Sequence, residues 1–274
     1  MDSVPAHDTQ AIAAQIITRA REFGADLAGL AAVSELKLSP SALFSEHLAT
    51  ADDPPLADFN SPRLPFDLVS WPEEAKTVLV IGVHHPVNRP EMDWWIGSAD
   101  PPGNRTLAKI IKNLCSWISE HFQTDVLHLP YDIDKGGIHL KDAAVLSGLG
   151  CIGKNNMLVT PEFGPRIRLR ALTLAVDLPT TGKQEFDPCT GCQQWCRKAC
   201  PQQALSMKIS CASVSQDNLP GRDGNYSRQL CDIQMEIDEE QAREHTFKDF
   251  EDPVKLIKYC RFCELSCPVG RLRS

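Results

Sequence analysis

Two stretches of the chain carry apolar residues at helical spacing. The first helix is predicted from Asp8 or Thr9 to about Phe23, with Gly24 as its stop signal. The second follows the chain break at Pro101-Pro102-Gly103. The repeating apolar positions are Ile12, Ile16, Ala20 and Phe23 in the first helix, and Leu107, Ile110, Ile111, Leu114 and Ile118 in the second. Each helix is therefore expected to bury one face against a core.

Other stretches have the patterns of strands. Thr77–Val83 is a continuous apolar run, which predicts a central strand covered on both faces. Arg166–Val176 alternates, so one face of that strand is expected to be apolar and the other basic. Shorter predicted elements are strands at Leu27–Leu30 and Val126–Leu129 and a helix at Leu140–Ser147, which ends in a glycine-rich turn running to Asn155.

The bulk composition limits the possible classes of protein. The chain has 274 residues and a net charge of −8, which argues against a general nucleic-acid binder. It has neither an apolar run long enough for a membrane helix nor a leader at its N-terminus, so a cytoplasmic protein without membrane contact is expected. We predict two domains, residues 1–183 and residues 184–274, with an insert at about 206–257 in the second.

The second domain holds most of the 11 cysteines. Its first motif has the form C-x2-C-x3-C-x3-C-P, and its second has the form C-x2-C-x3-C-P. In two-cluster ferredoxins the last cysteine of each motif ligates the other cluster, so two such motifs interlock. The predicted ligands are Cys189, Cys192, Cys196 and Cys267 for one [4Fe–4S] cluster, and Cys200, Cys260, Cys263 and either Cys231 or Cys211 for the other.

Zinc is the alternative for these cysteines. A structural zinc site closes with four ligands, usually from two C-x2-C units. The additional cysteines and the two Cys-Pro steps favour iron–sulfur clusters. The first motif departs from the usual pattern, because three residues (Gln193, Gln194 and Trp195) separate its second and third cysteines where two are usual.

Residues 144–178 resemble a segment shared by epoxyqueuosine reductases and reductive dehalogenases. The resemblance consists of GLGxxGKN, then TPEFGPRxRL, then DLP, followed by the first cysteine motif. It continues through QLCDIQMEI, which contains Cys231, and ends at CRFCELSCP. Tyrosine and histidine residues expected in the substrate pocket of epoxyqueuosine reductases are not recognisable near Trp94-Trp95. A short form without the C-terminal helical repeats of many of these enzymes is expected.

This resemblance implies an α+β architecture, in which a nitroreductase-like cobalamin-binding domain precedes a ferredoxin-like domain with two clusters. It implies a cobalamin-dependent reductase, and Asp134 falls where the family places its proton donor. His139 is a candidate proton relay. Burial would hold such a donor carboxyl group protonated. The candidate cofactor-binding residues are Gly148, Gly150, Gly153, Lys154, Asn155, Arg166 and Arg168.

Two other functions compete with this one. The chain is either an electron-transfer protein that re-reduces the corrinoid of another protein, or a flavin enzyme with FMN in place of cobalamin. A reductive dehalogenase is disfavoured because no tyrosine donor is recognisable. For the leading function we expect an external ferredoxin or flavodoxin as electron donor and a small organic molecule as substrate, and we do not expect tRNA as a partner.

Overall fold

A computed structural model describes residues 6–50, 68–206 and 222–271 of the chain. Its helices are α1 (Ala6–Glu22), α2 (Val33–Leu36), α3 (Pro40–Thr50), α4 (Pro102–Phe122), α5 (Leu140–Leu146), α6 (Trp195–Lys198), α7 (Arg228–Glu240) and α8 (Phe262–Leu265). Its strands are β1 (Leu27–Ala32), β2 (Thr77–His84), β3 (Trp95–Ile96), β4 (Val126–His128), β5 (Cys151–Ile152), β6 (Leu158–Val159), β7 (Ile167–Leu174), β8 (Arg243–His245) and β9 (Val254–Ile257). Two 3-10 turns span Pro90–Asp93 and Ile133–Lys135.

The main sheet has four strands in the order β1-β2-β7-β4, and all of its pairs are antiparallel. Strand β2 lies between two neighbours, so the prediction of a central strand from its apolar run is confirmed. Leu79 and Ile81 pack into one core with α1 and α4, while Val78 and Val80 pack into a second core with α2 and α5. Because helices cover both faces of the sheet, every position of this strand from Thr77 to Val83 is buried.

Strand β7 confirms the predicted alternation on its apolar side. Ile167, Leu169 and Ala171 are buried. The basic side is not a solvated face, because the Arg170 guanidinium lies 4.8 Å from the ring centroid of Tyr131. Burial also lowers the pKa of Arg170. The arginines on this strand therefore contact protein groups.

The two halves of the chain share a sheet. Strand β3, from the N-terminal half, pairs with β9, and β9 pairs with β8 in a three-stranded sheet. The ring centroids of Trp95 and Tyr259 lie 6.1 Å apart, and the Lys258 amine lies 4.4 Å from the ring centroid of Trp94. Trp94 and Trp95 thus contact the approach to the second cysteine motif. The predicted boundary near residue 183 stays a prediction.

The insert contains regular structure. From residue 222 onward it carries α7, β8 and β9. Ser227 caps α7 by accepting a hydrogen bond from the Leu230 N–H. Cys211 lies outside the described residues. In the described part of the chain, no helix is long and apolar enough to cross a membrane.

Candidate functional site

The first cysteine group comes from both motifs. Burial raises the pKa of the Cys267 thiol, and the nearby Cys189 and Cys192 raise it further. Burial likewise raises the pKa of Cys196, with further contributions from Cys267 and Cys189. These mutual effects indicate that the four cysteines lie near one another, and their role as the ligands of one cluster stays a prediction.

The second cysteine group includes a residue of α7. Burial raises the pKa of the Cys263 thiol, and the nearby Cys231, Cys260 and Cys200 raise it further. Burial also raises the pKa of Cys260, again with contributions from Cys231 and Cys200. Cys231 is thus placed with Cys200, Cys260 and Cys263, and it is the fourth thiol that the two motifs alone do not provide.

An additional residue in the first motif is accommodated at Gln194. This residue precedes α6 and has a left-handed backbone, with φ of 57°. Such a conformation is uncommon for a residue other than glycine. Cys196 lies near Cys189 despite the three-residue spacing.

Asp187 organises the start of the first motif. Its carboxylate accepts hydrogen bonds from the Cys189 N–H at 2.9 Å and from the Thr190 hydroxyl at 2.7 Å. It also forms an ion pair with Arg222. The hydrogen bond from Arg222, followed by that from Thr190, lowers the pKa of Asp187 well below its usual range, against the opposing effect of partial burial. The carboxylate therefore holds the Cys189 turn and ties it to the segment preceding α7.

These two groups are the candidate sites for the two predicted clusters. In the described part of the chain, no three His, Cys, Asp or Glu side chains are arranged to hold a single metal ion. Thiolates around one zinc ion lie about 3.8 Å apart, since each Zn–S bond is about 2.3 Å long. A four-iron core occupies the space between its thiolates and holds them farther apart. Cluster binding by the eight cysteines stays a prediction.

The Cys267 loop is attached to the first half of the chain by Arg166, which is completely buried. Its guanidinium donates to the backbone carbonyl of Val269 and, at 3.5 Å, to that of Cys267. A side-chain carbon at Gly164 would lie 2.1 Å from the Val269 carbonyl oxygen, so only glycine permits this approach. The terminal nitrogens of Arg166 hold the backbone after Cys267, and the prediction that Arg166 binds a cofactor or a substrate stays a prediction.

A buried ion network attaches the second motif to the first half. Asp93 accepts hydrogen bonds from His85 Nδ1 at 2.9 Å and from Arg168 Nε at 2.6 Å, and it pairs with Arg261. Arg261 also pairs with Glu264, which is 4% exposed. Since Arg261 stands between Cys260 and Cys263, the network fixes that cysteine turn. The guanidinium of Arg168 is engaged by Asp93 and by Asn104 at 2.8 Å, and its predicted role in binding a ligand stays a prediction.

Charge balance within this network favours ionised Asp93. Burial alone would raise the pKa of Asp93, but the hydrogen bond from His85 and the charges of Arg168 and Arg261 outweigh it and lower the pKa. No local pattern indicates this network, since its members are spread over 180 positions, from His85 to Glu264 counted inclusively. Ion pairs between residues so far apart along the chain form only where the tertiary fold brings those residues together.

The glycine turn lies beside the first cysteine group. Burial raises the pKa of Cys151 to about 11, and the nearby Cys189 and Cys267 contribute to this increase. Arg197, which precedes Cys200 in the first motif, donates from Nε to the Lys154 carbonyl at 3.3 Å. A cofactor bound at this turn would therefore be next to the first group.

The structure gives the three predicted glycines a packing role. A side-chain carbon added at Gly148 would lie 2.2 Å from the Gly182 carbonyl oxygen. One added at Gly150 would lie 2.2 Å from the Val159 carbonyl oxygen. At Gly153 it would lie 2.5 Å from Asn155 Oδ1. We expected these glycines to let a cofactor approach the backbone, but the groups they admit belong to the protein itself. A direct cofactor contact at the three glycines stays a prediction.

Asn155 has an amide group available for a ligand. The residue is 5% exposed, and its Oδ1 accepts from the Met157 N–H at 3.3 Å. Its Nδ2 is buried and has no hydrogen-bond partner among the described residues. A buried amide N–H without a partner is costly, so this atom fits a bound polar group. Lys154 is half-buried next to Asn155, and its role in binding a cofactor stays a prediction.

Asp134 and His139 lie on either side of a turn that leads into α5. Asp134 is exposed in the 3-10 turn Ile133–Lys135, and His139 is the half-buried residue that precedes α5. The burial expected for a protonated donor at Asp134 is therefore not provided by the protein. The catalytic roles of both residues stay predictions.

Lys141 is a titratable residue that the sequence reasoning missed. Its amine donates to the Asn156 carbonyl at 2.7 Å, between α5 and the loop that carries Asn155. Burial lowers the pKa of Lys141 to about 8, with Asp142 opposing and Arg228 adding to the shift. The amine thus links the glycine-turn loop to α5 at the cost of desolvating a charge.

Lys141→Met is expected to change how stability depends on pH. The unfolded lysine has its usual pKa near 10.4, so between about pH 8 and pH 10 the unfolded chain binds more protons than the folded one. The stability of the parent protein therefore gains from this residue as pH rises through that window. The thermal midpoint of Lys141→Met should exceed that of the parent, and this difference should become smaller as the pH rises from 7.5 to 10. A difference in thermal midpoint that did not change with pH would contradict the lowered pKa of Lys141. The control is Lys109→Met, at an exposed position of α4.

Comparison with known sequences connects the chain to two groups of reductases. An epoxyqueuosine reductase from Lactococcus garvieae is 25% identical over 209 residues, which are 73% of this chain and 53% of that protein. A tetrachloroethene reductive dehalogenase from Desulfitobacterium hafniense is 46% identical over 68 residues, which are 23% of this chain and 12% of that protein. The chain thus spans about half the length of the first relative. No protein-family model matches it.

Comparison with solved structures shows the fold. The crystal structure of an epoxyqueuosine reductase with an epoxyqueuosine-modified tRNA-Tyr stem loop has a TM-score of 0.61 at 18% identity, covering 95% of this chain and 66% of that one. A catabolic reductive dehalogenase in complex with 3-bromo-4-hydroxybenzoic acid also has a TM-score of 0.61, at 14% identity, covering 97% of this chain and 33% of that one. The resemblance found in the sequence is therefore confirmed, as is a mixed α and β fold.

Proposed function

We propose that this chain, a relative of epoxyqueuosine reductases and reductive dehalogenases, is a cobalamin-dependent reductase with two [4Fe–4S] clusters. The observation that carries the proposal is the convergence of eight cysteines into two groups of four, with the glycine turn beside the first group. In this proposal residues 1–183 form a nitroreductase-like cobalamin-binding domain, and residues 184–274 form a ferredoxin-like domain.

The residues of the chain have distinct parts in this reaction. When bound, the clusters supply single electrons and the corrinoid supplies a strongly reducing cobalt centre. Asn155 offers its buried amide N–H to the polar periphery of the corrinoid, and Lys154 lies next to it. Arg166 and Arg261 hold the two cysteine turns against the first half of the chain. Asp134 provides a proton to the substrate, whose binding would exclude water from the exposed carboxyl group.

Metal analysis of the protein tests the proposal. The chain would be purified without oxygen in the presence of cobalamin, and iron, sulfide and cobalt would be counted per chain together with a visible spectrum. We expect about eight irons and eight sulfides, because each cluster contains four of each, and one cobalt. Fewer than about six irons, or zinc in their place, would refute the two-cluster assignment.

The role of Asp134 is tested by Asp134→Asn. A positioned proton donor contributes about 10²- to 10⁴-fold to the rate, so turnover should fall at least about 100-fold while iron and cobalt contents remain unchanged. Asp132→Asn, at the neighbouring acid that pairs with Lys135, is the matched control and should retain turnover. Full activity of Asp134→Asn would remove this residue from the mechanism.

The substrate is open between two classes. We expected a small organic molecule and no tRNA, but that expectation against tRNA is not supported, since one structural neighbour was solved with a tRNA stem loop. Turnover should therefore be assayed with an epoxyqueuosine-modified stem loop and with halogenated aromatic compounds. Reduction of only one of them would assign the class.

A second candidate function is an electron-transfer protein that re-reduces the corrinoid of another protein. It is favoured by one observation, the occupation of the space around Gly148 and Gly150 by the backbone of the chain itself. About eight irons without cobalt would support it, and the role proposed for Asn155 would then be withdrawn. The third possibility, an FMN enzyme, receives no support from the relatives described above.

A further inference from the structure

Each cysteine motif exposes one aromatic side chain. Trp195 stands between Cys192 and Cys196 and is 46% exposed, and Phe262 stands between Cys260 and Cys263 and is 55% exposed. They begin α6 and α8, two short helices that pack against each other. The two helices that carry these exposed rings are therefore in contact, and each ring is next to a cysteine of one group.

The charge of this region differs from that of the whole chain. Residues 189–206 contain two basic residues, Arg197 and Lys198, and no acidic one. Residues 254–271 contain four basic residues and one acidic residue, Glu264, which is buried. In a chain with a net charge of −8, the Lys, Arg, Asp and Glu side chains of these two segments thus sum to a positive charge.

The positive charges include exposed ones. Lys198 is exposed, and its amine lies 4.7 Å from the ring centroid of Trp195. Lys255 and Lys258 are exposed on the approach to the second motif. Two acids of α7 lie beside the second motif, since Asp238 accepts from the Cys260 N–H at 2.7 Å and Glu239 accepts from the Tyr259 hydroxyl. The three residues Trp195, Lys198 and Phe262 themselves combine two exposed rings with the positive charge of Lys198.

We propose that the surface formed by Trp195, Lys198 and Phe262 docks a small, acidic one-electron carrier protein that reduces the clusters. An apolar centre with a charged rim is typical of protein interfaces, and opposite charges accelerate the encounter. In each transfer the carrier loses one electron and a cluster gains one, and no bond is formed or broken. This inference rests on the proposed function only in that the two groups hold clusters.

The experiment measures cluster reduction by stopped-flow absorbance with the complete, cluster-loaded chain and no substrate. Reduced flavodoxin of net negative charge is the protein donor, and dithionite is the small reductant. For the parent chain, the rate with flavodoxin should fall roughly tenfold between 50 mM and 500 mM salt, since opposite charges steer the encounter.

Two variants locate the surface. Lys198→Glu and Phe262→Ser should each slow reduction by flavodoxin roughly tenfold, through lost steering and lost apolar contact respectively. Both should keep the dithionite rate within about twofold, because a small reductant does not need the docking surface. Lys109→Glu on α4 and Leu38→Ser, at a position 71% exposed, are the matched controls and should match the parent with both donors.

The outcomes separate this inference from the proposed function. Intact clusters whose reduction by flavodoxin is unaffected by salt and by Lys198→Glu would overturn the docking surface and leave the reductase in place. Docking as described, in a chain that binds no cobalamin, would retain the surface and remove the reductase. A chain without clusters would overturn both. If Phe262→Ser loses iron, the rate of Lys198→Glu and the salt dependence of the parent still decide whether the docking surface is correct.

Discussion

Replacing Cys231 by serine is expected to prevent the second cysteine group from holding an intact four-iron cluster, while the first group keeps its own. Cys231 is the residue of α7 that lies with Cys200, Cys260 and Cys263. Serine has a hydroxyl group in place of the thiolate that such clusters require. Iron per chain should fall from about eight by at least one and by as many as four. The measurement is an iron and sulfide count together with the electron paramagnetic resonance spectrum of the reduced protein.

The control for this substitution is Cys211→Ser. The spacing of the motifs alone left Cys211 and Cys231 as alternatives, and the fold places Cys231 with the second group. Cys211→Ser should therefore keep about eight irons. The assignment would be reversed if Cys211→Ser lost iron and Cys231→Ser kept it. Cys151→Ser should also keep the full count, because the first group has four other thiols.

Asp93→Asn is expected to lower the free energy of unfolding by about 3 to 5 kcal/mol, which is typical when one partner of a buried ion pair is removed. Asp93 is 7% exposed and contacts His85, Arg168 and Arg261. Asparagine keeps the shape of the side chain but leaves two arginines without the carboxylate that balances them. Anaerobic unfolding in urea, followed by circular dichroism and by cluster absorbance, measures the effect.

Glu91→Gln is the matched control, because Glu91 lies in the same 3-10 turn as Asp93. It pairs with Arg89 at 3.1 Å, and the side chains of this pair are 62% and 45% exposed for Arg89 and Glu91 respectively. Exposed ion pairs contribute little, so the urea midpoint should be unchanged within error. Equal midpoints for Asp93→Asn and Glu91→Gln would show that the buried network contributes no stability. Earlier loss of the second cluster than of the first in Asp93→Asn would agree with the role of Arg261 in fixing its turn.

Local patterns were sufficient for the main elements. The apolar run at Thr77–Val83 predicted a central strand because a strand covered on both faces needs no polar alternation. The second helix, Pro102–Phe122, was predicted from its repeating apolar positions, and all five of them are buried. The assignment of cysteines within each motif was likewise local, since the ligands of one turn lie two or three residues apart.

Other features of the site depend on contacts between distant segments. The alternating arginines at 166, 168 and 170 suggested a binding face, but Arg166 holds the backbone after Cys267 and Arg168 holds Asp93. Likewise, the glycines of the turn suggested an open approach for a cofactor, yet Gly148 and Gly150 accommodate the backbone at Gly182 and Val159. Residue type indicated a need for charge or for space in each case, without identifying the partner.

The sequence by itself determined the elements of the sheet, the two cysteine motifs and the resemblance to cobalamin-dependent reductases. These depend on spacing and periodicity over a few residues, which the order of amino acids contains directly. Only the tertiary structure decided that Cys231 joins the second group, that Asp93 balances Arg168 and Arg261, and that α6 and α8, which begin at Trp195 and Phe262, pack against each other. Burial and charge pairing arise where remote segments meet, and their energies depend on distances that exist only in the folded chain.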